Sequence, residues 1–132
     1  MSYIPKYILK RMVPADAVKA VEGGVEITFV NVISPLTVDE IPGDPLDYLE
    51  VKLDGDPIPR EQLAKIEIRV PDQDLNLTMA NMQDAVGKTL PVGGKLVIFF
   101  PTDQIKAGET HEVEVTIKSD NPINVKIERV VQ

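Results

Sequence analysis

Eight acidic residues lie between positions 39 and 61, in DEIPGDPLDYLEVKLDGDPIPRE, with only Lys52 and Arg60 to offset them. Carboxylates at this density are the ligands that hard cations take. The EF-hand calcium loop, D-x-[DN]-x-[DN]-G-x5-E, is the obvious template. One register seats Glu50, Asp54, Gly55 and Glu61 correctly but puts the Lys52 ammonium where a carboxylate must bind. Starting at Asp54 instead places Pro59 where the template needs glycine. Both registers fail. A looser cation site, with Asp44, Asp47, Asp54 and Asp56 as ligands, is the remaining reading of this segment as a binding loop. The alternative is turn chemistry. Asp54-Gly55 is a leading two-residue hairpin signal, because both central residues of a type I′ turn need positive φ. Pro57 and Pro59 then mark the outgoing arm as an edge.

His111 is the only histidine. A catalytic triad would need a serine in a nucleophile context, and Ser2, Ser34 and Ser119 offer none. A small enzyme using His111 with nearby carboxylates is kept as one reading. The expectation is a hydrogen-bonded histidine at the start of a strand, partly buried. Gly87-Lys88-Thr89 mimics the end of a P-loop, but Met82 stands where the first glycine belongs. Pro91 also forbids the helix that would hold phosphate. No catalytic residue and no cofactor is assigned.

Composition narrows the field. There is no cysteine, so disulfides and Cys-containing zinc sites are excluded. The net charge is −7, of which the 39–61 segment supplies −6. That balance argues against nucleic acid, whose binding relies on neutralising phosphates. Lys6, Lys10 and Arg11, in KYILKR, read as the solvated face of a strand. Trp is absent, which weakens stacking on bases or sugars. The N-terminus lacks the apolar core of a signal peptide. The longest apolar run, LVIFFP, falls far short of the roughly 20 residues a membrane helix needs. A soluble cytoplasmic protein with no membrane partner is expected.

Such side chains must be positioned by something, and period-two alternation dominates the chain. Ile66, Ile68 and Val70 alternate with charged residues, as do Val113, Val115 and Ile117, and Ile123, Val125 and Ile127. The last two runs, joined by Ser119-Asp120-Asn121-Pro122, read as a hairpin with one dry and one wet face. Leu49, Val51 and Leu53 define another strand. Val25, Ile27 and Phe29 begin a strand that turns apolar at Val30, Val32 and Ile33. That phase change predicts a bulge, or cover on both sides. Residues 14–22 fit either a helix or the first arm of a hairpin turning at Gly23-Gly24, and the hairpin is favoured. One short helix is expected near 79–86, with Thr78 as N-cap, Gly87 past its end, and Met79, Met82 and Val86 on its apolar stripe.

Eight or nine short strands with frequent turns predict an all-β antiparallel sandwich, residues 1–132 forming a single domain. KAGETHEVEVTI resembles the approach to a strand in immunoglobulin-like and fibronectin-like sandwiches, where a Gly-Glu turn leads into an alternating strand. The resemblance implies that fold and nothing about function. One strand departs from half-dry patterning. In KLVIFF, Leu96, Ile98 and Phe100 face one way, Val97 and Phe99 the other, and all five are apolar. This strand is either covered by the short helix or part of an interface between subunits. The sequence therefore points to a non-catalytic binding or assembly module. Its partner is another protein or a second copy of itself. Acidic ligand or cation binding through 39–61 and a His111 enzyme are the alternatives.

Overall fold

A computed structural model describes residues 2–3, 5–37, 44–118 and 123–132. Residues 39–43 of the acidic segment and the expected turn at 119–122 lie outside the described residues. Two five-stranded sheets account for ten strands. The first has the order β1 (Ser2–Tyr3), β12 (Ile123–Val130), β11 (Thr110–Ile117), β5 (Leu49–Leu53), β6 (Asp56–Pro57). The second has the order β2 (Val18–Val21), β3 (Gly24–Val30), β10 (Lys95–Pro101), β7 (Glu67–Val70), β8 (Leu75–Leu77). Pairing is antiparallel except between β1 and β12. A two-stranded ribbon, β4 (Leu36–Thr37) with β9 (Thr89–Leu90), stands apart.

The sheets face each other as a sandwich. Val51, Val113, Val125 and Ile127 from the first meet Val18, Val25, Ile27 and Phe100 from the second in one buried cluster. Val25, Ile27, Val51, Val113, Val125 and Ile127 are the residues that alternation assigns to the dry face, and Val18 and Phe100 join them. One flank is closed by the residues that follow β12. Gln132 leaves the first sheet and exchanges backbone hydrogen bonds with Ala20 and Val18 on the edge of β2, at 3.0 and 2.9 Å. That edge is thereby protected from pairing with another chain.

Several expectations need correction. Residues 6–12 are an α-helix, α1 (Lys6–Met12), not a strand. Arg129 explains how it is anchored: its guanidinium donates to the Val13 carbonyl at the helix end, at 2.7 Å, completing acceptors a helix leaves free. The helix expected near 79–86 is a single 3-10 turn, Met82–Ala85. Asn81 folds back instead, its Oδ1 accepting from the Thr78 backbone N–H at 2.6 Å and from the Thr78 hydroxyl at 2.9 Å. Asn and Thr side chains compete with the helix in this way. A second, unforeseen helix is the one-turn α2 (Arg60–Leu63).

Residues 18–30 form the favoured hairpin, but it turns one residue earlier than expected, at Glu22-Gly23, with Val21 opposite Gly24. Gly24 belongs in the strand because a Cβ there would collide with the Phe100 carbonyl oxygen and lie 2.9 Å from Phe99 Cε2. The apolar run after Phe29 is neither a bulge nor a doubly covered strand. The strand ends at Val30, and Asn31 begins a loop that leaves Ile33 exposed.

Candidate functional site

Asp54-Gly55 is the two-residue turn the sequence indicates. Asp54 has φ 53° and Gly55 φ 87°, and Leu53 pairs with Asp56 across it. Asp tolerates the left-handed region and glycine enters it without steric cost. The turn aims the Asp54 carboxylate at β11. One oxygen accepts from the Glu112 N–H at 2.9 Å, and the other lies 2.6 Å from His111 Nδ1. The second ring nitrogen of His111 lies 3.1 Å from Glu109 Oε1. His111 is 15% exposed at the strand start, as its phase in β11 predicts.

Both ring nitrogens therefore face carboxylates, an arrangement that suits the imidazolium. The Asp54 contact raises the His111 pKa above its ordinary 6.5, with desolvation opposing and Glu109 adding to the rise. Asp54 is lowered, chiefly by the Glu112 N–H and then by His111. Glu109 is lowered, chiefly by His111 and then by the Lys106 N–H. A general base needs a free neutral nitrogen, and neither ring nitrogen here is free. The cluster's geometry is that of a clamp between the β5–β6 turn and the start of β11.

The four candidate cation ligands are not brought together. Asp44 and Asp47 both hold the Arg60 guanidinium, the Asp47 contact at 3.0 Å. Asp44 also accepts from the Leu46 N–H at 3.1 Å, capping a 3-10 turn. Asp54 belongs to His111, and Asp56 lies past the hairpin tip. Among the described residues no group of three or more His, Asp or Glu side chains is arranged to hold a metal.

The apolar strand is β10. Ile98 and Phe100 pack in the core. On its outer face Val97 lies between Thr28 and Arg69, and Phe99 between Glu26 and Glu67. An Arg69–Glu26 ion pair at 2.6 Å spans β10, joining the strands on either side of it. Val97 and Phe99 are consequently half-buried, and none of residues 96–100 is exposed. The neighbouring strands' long side chains thus shield part of this outer face, and no helix lies over it among the described residues.

A cleft enters the sandwich between the two sheets, with a volume of about 290 Å³. Val25, Ile27 and Phe100 of one sheet and Val51 and Val113 of the other form its apolar floor. Asp56, Gln62, Thr102 and Gln104 bring polar groups to its lining. The 56–59 arm forms one wall, and its two prolines explain why. Without their N–H groups the arm pairs in register only at Asp56 and Pro57, adds one bond from the Ile58 N–H to the Val51 carbonyl at 2.8 Å, and then runs on into α2. Sequence reading missed the cleft because its lining comes from β3, β5, β6, α2, β10, β11 and the stretches at 58–59 and 102–105. The one local signal was the Pro57-Ile58-Pro59 spacing.

No protein-family model matches the chain, and comparison with curated proteins finds no match. Among the described residues no helix is long and apolar enough to cross a membrane.

Proposed function

We propose that this protein is a non-catalytic binding module and that the inter-sheet cleft is where it binds. The observation that carries this reading is the cleft's lining: an apolar floor, four polar side chains and, among the described residues, no histidine, serine or lysine. Pockets for small ligands likewise combine apolar surface with a few polar groups that fix orientation. The engagement of both His111 nitrogens by carboxylates supports the non-catalytic part. Calorimetric titration with hexan-1-ol, a neutral apolar probe, tests the reading. Saturable binding with a negative heat-capacity change is expected, since apolar surface is buried. Heats that never saturate would refute it.

A second reading, assembly with a protein partner or a second copy, has its own support. Ile33 and Val92 are 59% and 54% exposed. They sit on two loops that Asn31 ties together. Neighbouring exposed aliphatic side chains favour contact with another surface. Light scattering at high concentration tests the self-association form, which requires a mass above the 14.6 kDa of one chain.

A further inference from the structure

We infer that the cleft takes an apolar molecule carrying a cationic group, such as a primary ammonium. This deepens the binding reading above and rests on it. Above the buried floor the lining offers apolar surface from Leu53, Pro57 and Ile58 beside its polar groups, which suits a ligand with an apolar body and one polar end. Charge selection comes from the lining, whose only ionisable residue among the described residues is Asp56. Among the described residues no Lys or Arg lines the cleft. Arg60, the cation nearest in sequence to this wall, is held by Asp44 and Asp47. Asp54, two residues before Asp56, is held by His111 and the Glu112 N–H.

Asp56 is different. It is exposed and has no hydrogen-bond or ion-pair partner among the described residues, so its carboxylate is available at the cleft. Gln62, Thr102 and Gln104 bring amide and hydroxyl oxygens that accept from an ammonium's three N–H donors. A carboxylate ligand would meet Asp56 with like charge and no compensating cation. The surrounding 39–61 segment, at −6, biases the approach of ligands the same way.

Three probes with one apolar body separate the possibilities: hexylamine, hexan-1-ol and hexanoate, titrated calorimetrically into the full chain. Hexylamine is expected to bind about tenfold more tightly than hexanoate at low ionic strength, with hexan-1-ol between them. Salt should compress the series. Asp56→Asn should erase the advantage of hexylamine over hexan-1-ol when both are titrated into the same variant. If hexan-1-ol binds but the three probes are equal, or hexanoate is tightest, the cationic preference is overturned and the binding reading stands. An Asp56→Asn variant that keeps the hexylamine advantage also overturns it. If none of the three binds, both fall.

Discussion

Asn31 shows how much one side chain carries. It is 7% exposed, and its amide donates to the carbonyls of Ser34 and Leu90 at 2.8 and 3.0 Å while its Oδ1 accepts from the Ile33 N–H at 3.4 Å. Removing such a group takes three part-buried hydrogen bonds away at once, so Asn31→Ala should cost about 1–3 kcal/mol in chemical denaturation. Asn31→Asp keeps the shape but turns the donor into a charge facing carbonyls. It should destabilise at least as much at neutral pH, and tolerance of it would contradict the donor role. Nothing in the sequence marks Asn31, because its partners at 90 and 91 are distant along the chain. His111 was legible: its strand phase placed it partly buried at a strand start. Its partners were not, because Asp54 reaches it only through the pairing of β5 with β11. The clamp also makes stability depend on pH. The raised His111 pKa means its contribution is complete below the ordinary value of 6.5 and is lost as pH rises through the folded value. Asp54 and Glu109, ordinarily 3.8 and 4.5, contribute above those values and lose their share as pH falls through the lowered folded ones. The clamp is strongest between the two limits. His111→Gln should flatten the decline in melting temperature from pH 6 to pH 8, about the range over which histidine titrates. An unchanged profile would mean that His111 is not its source.

At the scale of elements, legibility followed locality. The Asp54-Gly55 turn was readable because two adjacent residues determine it. Gly55→Ala should cost about 1 kcal/mol, since alanine strains at its φ of 87° although the space around it is open. Gly24 needs glycine for a different reason, the close approach of β10, and this the sequence could not show. Gly24→Ala should cost about 2 kcal/mol, with a lower urea midpoint and an unchanged slope. A midpoint equal to wild type would contradict the observed β3–β10 register. Helices were the weak point of the reading. Apolar spacing at Met79, Met82 and Val86 suggested one, but Asn81 and Thr78 satisfy backbone and side-chain donors locally and leave a 3-10 turn. The α1 helix was hidden because KYILKR is too short for its period to be distinctive, and a tertiary contact, Arg129 to Val13, completes its end.

At the scale of the whole molecule, alternation was enough to give an all-β sandwich, because each dry face needs a partner sheet. Assembly of the faces was less legible. KLVIFF points to an interface or a covering helix; the expected helix is only a 3-10 turn, and Arg69 and Glu26 pair across β10 from separate strands. The acidic segment that first suggested calcium chemistry divides into local tasks. Asp44 and Asp47 hold Arg60, Asp54 holds His111, and Asp56 is left at the mouth of the cleft. The central claim is that the cleft between the sheets is a binding site, and methyl-resolved NMR during a hexan-1-ol titration tests it most directly. Methyl resonances of Val25, Ile27, Val51 and Val113 should shift saturably, while Val13, fully buried but not part of the cleft lining, stays put. Uniform small shifts, or saturable shifts confined to methyls outside the cleft, would contradict the claim.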